Sequence, residues 1–272
     1  MTYVIKASGE KEEFDKKKIE RTTLKAGASK RLAKEIANKI ERKVYEGITT
    51  KEILEIALKS LKDKPEVALR YDLKRAIMSL GPSGFPFEKF FAAVLENHDY
   101  KTKVGLILRG KATTHEVDIL AETKENKKYI IECKYHNQLG TYTDSKVAMY
   151  TYARFLDLYN NPKNKINQGW LVTNTKCTPH AIQYAKGVGL KITSWQYPSN
   201  ESLQKLIMKK RLYPITILKS INSTIKEKLS QANIILARDL IDLNLNELKI
   251  KTKLPENILI RIIKEARGVC TC

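Results

Sequence analysis

The 272 residues are 42% hydrophobic, which suits a chain with a sizeable core, but they are too many for one typical domain, so two or three are expected. No apolar run approaches the roughly 18 residues that cross a bilayer, and the N-terminus lacks the apolar core of a signal peptide; a membrane partner is therefore excluded and a cytoplasmic location expected. Fifty Lys and Arg against 30 Asp and Glu leave a net charge of +20, which argues for a polyanionic partner, although a lysine-rich proteome gives a similar bias.

In chain order, Tyr3-Val4-Ile5-Lys6, a turn at Ala7-Ser8-Gly9-Glu10 and Lys11-Glu12-Glu13-Phe14 read as a small hairpin. Asp15 is placed to cap a helix through Ala26, stopped by Gly27. Ser29 opens a second helix, with Leu32, Ile36, Ile40 and Val44 on one face and Gly47 at its end. Thr49 and Glu52 form a capping box for a third helix, and Pro65 begins a fourth that reaches Leu80. This hairpin with four helices resembles the ATP-cone, a nucleotide-sensing domain. The resemblance rests on Val4-Ile5-Lys6, Gly9, Phe14-Asp15-Lys16-Lys17-Lys18-Ile19 and Gly47-Ile48-Thr49-Thr50. It implies that Lys6 and Lys18 contact the triphosphate of ATP or dATP, that Thr50 helps hold the nucleotide and that Glu12 lines the same pocket. It also implies a nucleotide-dependent homo-oligomer. Taken alone, Lys16-Lys17-Lys18 would read as a solvated helix face.

Gly81-Pro82-Ser83-Gly84-Phe85-Pro86 is turn punctuation and the clearest boundary. A helix follows from Phe87 to Asn97, with Glu88 at the rim of its apolar stripe. Strands are expected at 103–108, 116–121 and 129–134, then a helix over 144–160, a strand at 169–173, a Thr178-capped helix and a strand at 191–195. Two of the strands carry acid among apolar neighbours: Val117-Asp118-Ile119-Leu120-Ala121 and Tyr129-Ile130-Ile131-Glu132-Cys133-Lys134-Tyr135. Glu132 and Lys134 are two apart and share a strand face. Asp118, Glu132 and Lys134 match the pattern of the PD-(D/E)xK nucleases, and the element order resembles their restriction-endonuclease core. Within that group the chain looks most like the Mrr-type family of type IV restriction enzymes, on Phe87-Glu88, His115-Glu116-Val117-Asp118-Ile119, Ile131-Glu132-Cys133-Lys134 and Gly169-Trp170-Leu171-Val172-Thr173-Asn174. The resemblance implies Mg²⁺ (or Mn²⁺) held by Asp118, Glu132 and the backbone carbonyl of Cys133, hard oxygens for a hard ion. It further implies that Lys134 handles the attacking water and that Glu88 joins the acidic cluster. Glu116, on the strand face of Asp118, is a rival carboxylate. Val117 stands where the motif has its nominal proline. An edge-strand salt bridge is the bland alternative for Glu132 and Lys134.

From about residue 200 the chain reads as helical, with helices at 215–229, 235–243, 245–251 and 255–267. The stretches 229–234 and 248–254 resemble helix-hairpin-helix elements, with Asn233 and Lys253 where such hairpins hold glycine; asparagine tolerates that conformation better than lysine. DNA contact and protein docking are both open for this part. The four cysteines read as reduced thiols, since Cys270 and Cys272 lack the second pair of a zinc site.

The expected architecture is α/β and multidomain: a mostly helical ATP-cone over 1–82, an α/β nuclease domain with a central mixed sheet over 83–199 and an all-α domain over 200–272. The positive excess is even across these parts, at +7 for 1–84, +6 for 85–198 and +7 for 199–272. The expected activity is Mg²⁺-dependent, restriction-type DNA cleavage regulated by ATP or dATP. The alternatives are a catalytically silent ATP-responsive DNA-binding protein and a repair or junction nuclease with the same chemistry.

Overall fold

Helix α4 (Pro65–Met78) ties the fold together, because its two halves are buried in different cores. The structure, a computed structural model, describes residues 2–6, 9–138 and 140–270, so Ala7, Ser8 and Cys272 of the features above lie outside the described residues.

The N-terminal part holds β1 (Tyr3–Ile5), β2 (Lys11–Glu13), α1 (Lys16–Lys25), α2 (Lys30–Glu41), β3 (Ile48–Thr49) and α3 (Thr50–Ser60), followed by α4. Strand β1 is central, antiparallel to β2 and parallel to β3. The hairpin closes where Lys6 N–H donates to the Glu10 carbonyl, with Gly9 at φ 83°. Thr49 and Glu52 form the reciprocal capping box. Helix α1 does start after Asp15, but the Asp15 carboxylate accepts from Arg21 at 3.1 Å and caps no backbone amide. Ala33, Ile36 and Ile40 of α2 meet Val4, Ile48, Ile53 and Ala57 in one apolar core, which takes in Val67 and Ala68 of α4.

The central part holds α5 (Phe85–Glu96), β4 (Lys101–Arg109), β5 (Thr114–Glu122), β6 (Lys128–Lys134), β7 (Tyr142–Thr143), α6 (Ser145–Tyr159), β8 (Gln168–Thr173), β9 (Lys176–Cys177), α7 (Pro179–Val188) and β10 (Lys191–Thr193). Five strands form a mixed sheet in the order β10-β8-β6-β5-β4, with β4, β5 and β6 antiparallel and β6, β8 and β10 parallel. Alternation along β8 sends Trp170 and Val172 to the α5 face and Leu171 to the face covered by α6 and α7. The pair β7 and β9 is too short, at two residues each, to leave a pattern in the sequence.

The C-terminal part holds α8 (Leu203–Lys210), α9 (Ser223–Gln231), α10 (Asp239–Asp242), α11 (Leu245–Thr252) and α12 (Glu256–Cys270). Two expected helices are shorter here. Residues 215–229 divide into a 3-10 turn at Ile215–Ile217 and α9, because Asn222 starts a new helix by accepting from Ile225 N–H at 2.9 Å. Residues 235–238 are not helical: Ile235 and Leu236 lie against Pro214 and Ile215, and the Asp239 carboxylate takes both of their amides. Asn233 and Lys253 have φ of 57° and 52°, the left-handed conformation that hairpin turns require. These helices share one apolar core with α5 and with Leu73, Ala76 and Ile77 of α4. Among the described residues, Cys133, Cys177 and Cys270 are free thiols, and no helix is long and apolar enough to cross a membrane.

Candidate active site

Strands β5 and β6 pair from Glu122–Lys128 to Ile119–Ile131, one residue short of Asp118 and Glu132. From there β6 stays with β8 up to Lys134–Thr173, so β5 peels away from it. The Asp118 carboxylate spans the opening, accepting from the Cys133 amide at 2.7 Å. A second feature bends β5 at this point. Gly105 interrupts β4 opposite Asp118 with φ 66°, and across the bend Val117 packs toward α6 while Ile119 packs toward α5. Irregular pairing thus opens one end of the sheet where the acidic residues stand.

Glu88, in the first turn of α5, points its charge at the same end. Burial, then Asp118, Glu116 and Glu132, push its carboxyl up to about 7. Burial and the neighbouring Asp118 push Glu132 up to about 7 as well, against the opposing pull of Arg154 and Lys134. Asp118 is raised by burial, partly offset by its bond from Cys133. Lys134 is exposed at the strand end, on the face of Glu132.

Arg154, on α6, was not among the expected site residues. Its Nη1 donates to Glu132 at 2.5 Å and to the Glu116 carbonyl at 2.9 Å, and Nη2 donates to the Tyr150 hydroxyl. Only 15% and 19% of the Arg154 and Glu132 side chains are exposed, so solvent screens this pair weakly. The buried Nε of Arg154 has no partner among the described residues. The i, i+4 spacing of Tyr150 and Arg154 on a helix beside the sheet was the available signal. His115 pairs with Asp157 at 2.7 Å and serves the loop 110–113, whose Ala112 and Thr113 amides Asp157 also accepts. His136 bonds Thr143, and His180 is exposed at the start of α7.

Crowded carboxylates at a half-buried strand end, raised by burial and by one another, form a hard-oxygen donor set short of positive charge, which fits a divalent cation. Among the described residues no three His, Cys, Asp or Glu side chains converge on a metal-sized cage, and Glu132 is engaged by Arg154.

In the N-terminal part the expected nucleotide residues come together around β1. Glu12 lies 3.7 Å from Lys6 and 2.8 Å from Lys18, and Lys6 also meets Glu10 at 3.1 Å. The Lys18 contact, then desolvation, acts most strongly on Glu12, whose carboxyl is held below its ordinary range. Parallel pairing of Ile5 with Thr49 sets Thr50, the first residue of α3, level with Lys6. Thr49, not Thr50, is engaged by the Glu52 capping box, which leaves the Thr50 hydroxyl outside it.

A mixed sheet that splits beside an acid–acid–lysine set defines a nuclease domain of the restriction-endonuclease type. Family models agree in chain order: "ATP cone domain" matches residues 2–77, "Restriction endonuclease" matches 81–199 and "AF1548-like, C-terminal" matches 213–270. The chain belongs to the AF1548-like family. An uncharacterized protein of Archaeoglobus fulgidus is 43% identical over 150 residues, which are 55% of this chain and 83% of the relative. The crystal structure of the protein of unknown function AF1548 is 37% identical, with a TM-score of 0.62 over 70% of this chain and 99% of that one. An EndoMS–double-stranded DNA complex is 18% identical over 39% of this chain and 42% of its own, with a TM-score of 0.29.

Proposed function

We propose that the protein is a divalent-cation-dependent DNA endonuclease of restriction type, regulated by ATP or dATP bound to its N-terminal domain. The observation that carries this reading is the meeting of Asp118, Glu132 and Lys134 where the β5–β6 ladder stops. Asp118, Glu132 and the Cys133 carbonyl are assigned to Mg²⁺ or Mn²⁺, with Glu88 completing the acidic end. The bound ion supplies Lewis-acid polarisation of a phosphate oxygen and of water. Lys134 is assigned to orient the attacking water and to offset negative charge that builds on the phosphate. Arg154, released from Glu132, has a free Nε and a forked guanidinium suited to a phosphate. The even excess of positive charge supports a DNA partner contacted through its backbone.

Lys6 and Lys18 are assigned to the nucleotide triphosphate and Thr50 to its edge. A ligand here has to displace Glu12 from both lysines. The C-terminal hairpins favour docking over phosphate binding, since the amides of Asn233, Ile234, Ile235 and Leu236 are all bonded within the chain. One observation favours the second reading, a silent ATP-responsive DNA-binding protein: Glu132 is engaged by Arg154. The test is incubation with supercoiled, linear and branched DNA, methylated or not, with and without Mg²⁺, Mn²⁺ and dATP. Cation-dependent cleavage of any of these supports the nuclease; DNA binding without cleavage under every condition supports the silent reading.

A further inference from the structure

The end of the motif strand β6 is held by the N-terminal domain's last helix. Residues Val67 and Ala68 of α4 sit in the nucleotide-binding core, whereas Leu73, Ala76 and Ile77 sit in the core of the nuclease sheet. The helix runs unbroken for 14 residues, a rod of about 21 Å with no hinge between the two cores. At its C-terminus the Ala76 and Ile77 carbonyls are taken by the Ser79 and Leu80 amides, which leaves the Met78 carbonyl to a partner from outside the helix. Tyr135, the residue after Lys134, fills that place: its hydroxyl donates to the Met78 carbonyl at 2.6 Å and lies 3.5 Å from the Ile77 carbonyl.

The same ring packs on Phe87 at 5.6 Å between centroids, and Phe87 adjoins Glu88. Burial raises the phenol's pKa, so the hydroxyl remains a donor. On the other side, Asn174 grips the next residue by its backbone, accepting from His136 N–H at 2.8 Å and donating to the His136 carbonyl at 2.7 Å. The chain leaving Lys134 therefore has two fixed points, one inside the nuclease domain and one on α4.

We propose that Tyr135 is a positioning residue through which the nucleotide state of the N-terminal domain, carried along α4, sets the placement of Lys134. The proposal rests on the nucleotide-regulated nuclease reading above. A nucleotide that shifts α4 relative to the sheet moves the Met78 carbonyl, and the Tyr135 hydroxyl transmits the displacement one residue from the catalytic lysine. A ligand shifts such an equilibrium only through its differential affinity for the two arrangements, so loss of the hydroxyl removes coupling without removing the nucleotide pocket.

The test compares full-length wild type with Tyr135→Phe, which keeps the ring against Phe87 and loses the hydroxyl. Cleavage rates are measured with and without dATP, and dATP affinity by calorimetry. The expected result is a wild-type rate ratio that differs from one, and a ratio in the variant closer to one by about two- to tenfold, the range one neutral hydrogen bond transmits. The dATP affinity of the two proteins differs by no more than about the same two- to tenfold, the coupling that the hydroxyl carries. An unchanged ratio in Tyr135→Phe overturns the proposal and leaves the regulated nuclease standing. A wild type that binds no dATP, or binds it without a change in rate, overturns the regulatory reading and the proposal with it. If the variant cleaves too slowly to compare, amide exchange at His136 in the wild type decides: a dATP-dependent change supports the latch, and identical exchange overturns it.

Discussion

The two charged clusters of the molecule are built on opposite principles. Around β1, Lys6 and Lys18 already share Glu12, and Glu10 adds a further carboxylate, so charge is matched and largely exposed to water. At the split between β5 and β6, Glu88, Asp118, Glu116 and Glu132 crowd one half-buried place, with Arg154 in contact and Lys134 at the rim. Exposed, matched pairs contribute little to stability and can be exchanged for a ligand at small cost. Partly buried carboxylates that outnumber their cations destabilise the fold unless a further cation joins them. The first site can therefore exchange its ion pairs at small cost, whereas the second carries an excess of negative charge.

The comparison can be broken most directly at the acidic end. Lys134→Ala and Asp118→Ala are each expected to lower cleavage at least about 100-fold, the scale on which charge stabilisation in a transition state is lost, with the folded spectrum by circular dichroism retained. Arg154→Met is expected to lower the Mn²⁺ concentration at half-maximal binding about tenfold, since it removes the cation competing for Glu132; a tenfold change corresponds to about 1.4 kcal/mol. A Mn²⁺ titration that gives the wild-type midpoint would contradict this.

The raised carboxyls predict a pH dependence of the metal-free protein. Glu88 and Glu132 titrate near 7 when folded and near 4.5 when unfolded, so between those values the folded state holds more protons. Stability then falls as pH rises through this window and is lowest above it. In EDTA the melting temperature should therefore drop between pH 5 and pH 8, Glu132→Gln should flatten the drop, and Mg²⁺ should restore the high-pH value. A melting temperature that rises over this range would show that the carboxylates are not in excess. The smallest effect is expected at the matched end. Glu12→Gln should change stability by no more than about 1 kcal/mol, because its ion pairs are exposed, while dATP binding tightens as Lys6 and Lys18 are freed; weaker binding in calorimetry would mean that Glu12 itself contacts the nucleotide.

Much of this contrast was legible in the residues. Period-four apolar spacing located α2, although the helix ends at Glu41, before Val44 and Gly47; turn residues located the break before α5, which starts at Phe85 rather than Phe87; and the acid-bearing apolar strands located β5 and β6. The resemblance to helix-hairpin-helix elements pointed to Asn233 and Lys253, and Lys253 is left-handed although lysine suits that conformation less well than asparagine. What the sequence left unread depends on contacts between distant elements. Arg154 is one basic residue among many on amphipathic helices until α6 is laid on the sheet. The bend at Gly105 matters only because Asp118 lies opposite. Residues 235–238 carry helical spacing, but pairing with 214–215 and capture of two amides by Asp239 win over propensity. The double membership of α4 is likewise invisible to a reading that closes one domain before opening the next.

The central claim is that the carboxylates at the β5–β6 split hold a divalent cation that cleavage requires. Its most direct test is Mn²⁺ binding by calorimetry together with plasmid cleavage, in wild type and Glu132→Ala. The account predicts saturable Mn²⁺ binding in the wild type, and loss of both binding and cleavage in the variant. Cleavage that persists in excess EDTA, or Mn²⁺ affinity and cleavage equal to wild type in Glu132→Ala, would contradict it.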